Sequence, residues 1–173
     1  GIGDGIGYSN ASLVHLIADA DGTLVQPSAP ATPLDDMYGF SKPISRHIFQ
    51  AHTNISGYFH RTILAVDASP SYDLYLNHLW PRPSHATEFV AVESDCSILQ
   101  PASSCLLPFN ASIPLTLATE AMSGMDHFHK LVPLSPLLPR GCAVIGDPNK
   151  FITVSPQRFS SIASTSSSLS VVV

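Results

Sequence analysis

Five aspartates crowd the first forty residues: Asp4, Asp19, Asp21, Asp35 and Asp36. Paired carboxylates are the working groups of glycoside chemistry, one giving a proton to the leaving oxygen while the other attacks or activates water. Four of the five have a simpler use. Asp19 and Asp21 stand before Gly22 at a helix end, and Asp35-Asp36 follows Pro33, all positions where aspartate serves turns and caps. Asp4 is different. It sits in Gly1-Ile2-Gly3-Asp4-Gly5-Ile6-Gly7, where glycine at every second place permits close backbone approach. The run lacks the G-x-G-x-x-G spacing of a phosphate cradle and has no strand before it. It reads instead as a loop leaving a sheet and lining a cleft. No second carboxylate stands beside Asp4 in the sequence.

Other reactive groups are weaker candidates. In Asp126-His127-Phe128-His129 a strand would put both histidines on one face and Asp126 on the other. No further ligand lies at zinc-site spacing, so a solvent-facing strand edge is the better reading. Cys142 has no base near it in sequence, and there is no G-x-S-x-G elbow. Tyr72, Tyr75 and Trp80 offer faces for stacking on a sugar ring, or an aromatic group in a core.

Two features suit an oxidising compartment. Asn10-Ala11-Ser12, Asn54-Ile55-Ser56 and Asn110-Ala111-Ser112 are N-glycosylation sequons, although a serine-rich chain produces some by chance. Cys96 and Cys105, with eight residues between them, could close a local disulfide and leave Cys142 free; three buried thiols are the alternative.

The elements that must position these groups are short. Of 173 residues 45% are apolar and 12% charged, against roughly 25% charged in a typical domain, and 15 are proline. That balance favours strands and rigid loops. The net charge of −5 gives no basic footprint for nucleic acid, and no apolar run reaches the ~18 residues of a membrane span. Residues 9–19 hold the one helical pattern, with Asn10 as cap and Leu13, Leu16 and Ile17 on one stripe. Pro27, Pro30 and Pro33 make residues 26–33 a stiff extended connector.

Beyond Lys42-Pro43 the pattern becomes a series of short strands. They are expected at 47–51, 56–60, 62–66, 74–79, 88–92, 105–109, 113–117, 128–132, 143–145, 151–154 and 169–173, with Ser160–Ser170 mostly loop. Such a series predicts a mainly β fold, an antiparallel β-sandwich over residues 44–173. Residues 1–43 are a separate unit. The chain opens on Gly1 without a Met and closes on Val171-Val172-Val173, and it reads as part of a larger protein.

Two stretches resemble a known family. Gly3-Asp4 through Asn10, Asp21-Gly22-Thr23-Leu24-Val25 and Ala31-Thr32-Pro33-Leu34-Asp35 resemble the segment after the last barrel strand in the raffinose synthase and alkaline α-galactosidase group of glycoside hydrolase family 36. His127-Phe128-His129-Lys130-Leu131-Val132-Pro133-Leu134-Ser135-Pro136-Leu137-Leu138 resembles a strand near the end of that family's terminal β-sandwich. Gln26 stands where the family often has Arg, and Gly5-Ile6-Gly7 replaces a Lys-Pro-Gly.

The resemblance implies that residues 1–43 are the last loop, helix and connector of a truncated (β/α)8 barrel, and that 44–173 are the C-terminal sandwich. It implies a retaining α-galactoside-processing enzyme, hydrolase or galactosyltransferase, whose catalytic aspartates lie upstream of Gly1. Asp4 then matches a cleft-lining residue that binds sugar hydroxyls. The expected partners are an α-galactoside and the upstream barrel, with no cofactor, and the expected location is secreted or vacuolar/lysosomal, with cytoplasm or plastid as alternatives. A non-catalytic carbohydrate-binding or adhesion β-sandwich is the competing expectation.

Overall fold

The computed structural model describes residues 26–33, 47–66, 71–92, 105–118, 129–147 and 150–173. Asp4, Asn10, the helix expected over 9–19, Asp19, Asp21, Asp35, Asp36, Cys96 and the Asp126-His127-Phe128 run lie outside them.

The described chain is mainly β and antiparallel. Its strands are β1 (Ala29–Pro33), β2 (His47–Ile55), β3 (Tyr58–Val66), β4 (Tyr72–Leu74), β5 (Phe89–Val92), β6 (Leu106–Phe109), β7 (Leu115–Leu117), β8 (His129–Pro136), β9 (Ser161–Ser164) and β10 (Leu169–Val172). Six form one sheet in the order β1-β2-β3-β8-β5-β6, and β4-β7 and β9-β10 form two-stranded sheets. Among the described residues the helical segments are single 3₁₀ turns at Leu76–His78 and Pro139–Gly141.

The alternation of a strand sorts the large sheet into two faces. Register sets Ile48 opposite Ala65 and Gln50 opposite Ile63, and then Val132 opposite Ile63 and Phe109 opposite Phe89. These side chains share one face and pack with Leu74, Leu115 and Leu117 of the β4-β7 sheet and with Leu76 and Leu79. Phe109, Ile48, Ile63, Leu74 and Leu117 are fully enclosed there, each contributing about 1.5–3 kcal/mol of burial. The opposite face carries Ile55, which clusters with Leu138, Val154 and Ile162, backed by Tyr58, Val144, Phe159 and Val171. Apolar residues are needed on both faces, so β3 ends in the continuous run Ile63–Val66 instead of alternating.

Several elements differ from the sequence expectation. Ser56 and Gly57 are not strand but the two-residue turn joining β2 to β3. Both have positive φ, 53° and 88°, the pattern of a type I′ hairpin. The expected strand over 74–79 is β4 followed by a 3₁₀ turn. Residues 143–145 and 151–154 pair with no strand. They lie against the second face as loops, tied down where Ser135 Oγ donates to Val144 O (2.8 Å) and Thr62 Oγ1 to Phe151 O (3.1 Å). The serine-rich segment forms β9, because Ile162 is buried while its neighbours face out. The connector 26–33 is extended as expected, and its last five residues pair with β2 as an edge strand. Edge strands β1 and β6 carry Pro30, Pro33 and Pro108.

Candidate functional site

Arg61 stands at an inward position of β3, on the same face as Ile63 and Ala65, and is 3% exposed. A charged group there must find partners, and its partners are unusual. Nη1 donates to Gln50 Oε1 (3.0 Å) and to the Trp80 carbonyl (2.6 Å), and Nη2 donates to the Pro81 carbonyl (2.7 Å). Gln50, fully buried on β2, accepts from Trp80 N (3.2 Å) through Oε1 and donates from Nε2 to Trp80 O. Gln50 and Arg61 together hold the Trp80–Pro81 bend, whose peptide is cis, against the sheet. The guanidinium also lies 5.6 Å from the Phe59 ring centre and 5.7 Å from that of Phe89, within cation–π range. Among the described residues no carboxylate is ion-paired with it. Burial pulls Arg61 down to about 10, so it stays cationic at neutral pH. His52, directly opposite on β2, is pulled down by burial and then by the Arg61 charge.

Above this clamp runs an open groove of about 720 Å³. Arg61 and Phe89, both buried, form its floor. Tyr58 and Phe59 come from the start of β3, and Pro81, Arg82 and Pro83 from the loop that Arg61 holds. Ser84, Thr87 and Glu88 add polar groups, and the segment after β8 supplies Pro136 and Leu137. Trp80, next in chain to this lining, is 60% exposed, and Tyr75 is 46% exposed. These aromatics are therefore on the surface, not in a core. Tyr72 Oη and His78 Nδ1 are hydrogen-bonded at 3.1 Å, and the Tyr75 ring meets His78 edge-on at 5.4 Å between centres.

A second polar cluster lies on the other face and is buried. His60 is 4% exposed, and neither ring nitrogen has a hydrogen-bond partner; Thr53 Oγ1, directly opposite on β2, has none either. The gap bounded by Thr53, His60, Thr153 and Val154 is too small for a water molecule. Burial pushes His60 down to about 4, so the ring is neutral.

The described carboxylates do not pair. Asp73 accepts from Thr116 Oγ1 (2.7 Å), Asp147 meets Arg158 (2.9 Å), and Glu88 is the one acid in the groove. Among the described residues no three histidine, cysteine or acidic side chains gather as a metal site, and no helix is long and apolar enough to cross a membrane.

Of the sequons, Asn54 is exposed at the end of β2, its Oδ1 accepting from Gly57 N (2.9 Å), while Ser56 Oγ accepts from Ile162 N (3.2 Å). Asn110 closes an Asx turn, accepting from Ser112 N (2.9 Å) and Ile113 N (3.0 Å). The Cys105 thiol is free and half-buried, with Cys96 outside the described residues; Cys142 is free and exposed.

Sequence reading missed Arg61, Gln50 and the groove. The signal was present: a charged residue at an inward position of an apolar strand marks a buried polar anchor. No family model matches this sequence, and comparison with curated proteins and with solved structures returns no match.

Proposed function

We propose that this chain is a non-catalytic carbohydrate-binding β-sandwich, and that it accompanies a barrel that processes α-galactosides. The groove above Arg61 carries the binding half of this reading. A pyranose ring presents apolar C–H faces and a rim of hydroxyls. Tyr58, Phe59 and the prolines offer apolar surface, and Arg82, Ser84, Thr87 and Glu88 offer donors and acceptors. Glu88 is the one carboxylate among the described lining residues, where a two-carboxylate mechanism would need a pair. The galactoside half rests on the resemblance of the Asp4 loop, Asp21–Val25, Ala31–Asp35 and the β8 sequence.

Calorimetric titration with galacto-oligosaccharides tests the reading. Saturable binding is expected, weakened about tenfold by Tyr58→Ala, with no turnover of an aryl α-galactoside. Absence of binding to any saccharide overturns it. Turnover abolished by Asp4→Asn would place catalysis within this chain.

A further inference from the structure

We propose that the groove selects saccharides bearing a carboxylate, that is uronic acids, and that Arg61 and Arg82 recognise that group; this rests on the carbohydrate reading above. A guanidinium has five N–H donors. Arg61 uses three of them, two from Nη1 and one from Nη2. Its Nε–H meets no acceptor. The Nε–H and the remaining Nη2–H form the edge of the group that grips a carboxylate through two parallel bonds. That edge is unfilled. Among the described residues no carboxylate offsets its charge either, and a buried cation without an anion is costly.

The groove repeats this demand at its rim. Arg82 lines it and is exposed, while Glu88 is the one acid among the described lining residues, so that described lining is net positive in a chain whose net charge is −5. A neutral sugar can accept from Arg61 but cannot balance it; a uronate does both. The Nε–H is shielded from solvent. A carboxylate entering the groove therefore meets the exposed Arg82 first, and it reaches the open edge of Arg61 only where it displaces the Pro81–Pro83 wall that Arg61 holds.

The test titrates the purified chain with trigalacturonate, its methyl ester and a neutral galactotriose, at low and at physiological salt. The ester keeps the ring and removes the charge. The acid is expected to bind about tenfold more tightly than the ester, the value of one charge-assisted contact. The gap should narrow as salt rises. Arg82→Gln, an exposed substitution, should remove most of the gap and leave the melting temperature unchanged. Arg61→Lys, which keeps the charge and loses the fork, should do the same wherever circular dichroism shows it folded. Equal binding of acid and ester overturns the inference and leaves the carbohydrate reading standing. A gap indifferent to Arg82→Gln overturns the recognition assigned here. Binding of none of the three overturns the reading and the inference together.

Discussion

Arg61 Nη1 donates a 2.6 Å hydrogen bond to the carbonyl of Trp80, nineteen residues further along the chain. With Gln50 on the neighbouring strand it fixes the loop that forms one wall of the groove. The same side chain thus stabilises the fold and shapes the site.

Replacing Arg61 by Met removes all three donors and leaves the Trp80 and Pro81 carbonyls and Gln50 Oε1 short of partners. A loss of about 3 kcal/mol is expected, the magnitude for breaking a buried charged network. Urea unfolding reads it as a lower midpoint at unchanged slope. An effect under about 1 kcal/mol would show that the loop is held by something else.

His60→Leu should stabilise the protein. The imidazole is enclosed with two nitrogens that bond to nothing, so an apolar replacement removes a penalty of about 1–3 kcal/mol. A rise in melting temperature checks this. A fall would mean that the ring fills its site better than leucine does.

The same residue sets an acid limit. His60 is held at about 4 when folded, against 6.5 for a free histidine. The unfolded chain takes up a proton below pH 6.5 and the folded one does not until about pH 4. The contribution is complete above pH 6.5 and is lost as pH falls through that interval, a difference of about 3 kcal/mol. Stability measured from pH 7 to 4 should decline in the native protein and decline less in His60→Leu. Parallel curves would exclude His60 as the cause.

Gly146 has φ 79°, and a Cβ there would come 2.0 Å from Thr153 O and 2.8 Å from Val154 Cγ2. The crowding atom is backbone, and it already accepts from Asp147 N at 2.9 Å. Gly146→Ala should therefore cost about 3 kcal/mol or more, through both the clash and the left-handed backbone. Gly57→Ala meets open space and carries only the second cost. Thermal melts of the two variants should rank them in that order.

The strands were legible where apolar residues run together between turn residues, as in Ile63–Val66, Phe89–Val92 and Leu169–Val172. The misreadings share one cause. Val144 and Val154 are apolar because they pack on the second face, and packing does not require a ladder. β9 is a strand because a partner hairpin presents Ile162 to Ile55, although serine dominates its composition. Gln50 and Arg61 become a clamp only when the 80–83 loop folds over them, a relationship between segments that no local pattern records. The exposure of Trp80 was likewise set by that loop and not by residue type.

Among the described residues the large sheet ends on β1 at one side and β6 at the other, and both carry proline. Proline has no N–H to offer an incoming strand, so Pro30, Pro33 and Pro108 leave gaps in the row of donors at each border. Two copies meeting border to border would find an interrupted ladder. Among the described residues, growth of the large sheet by edge pairing is therefore disfavoured at both borders.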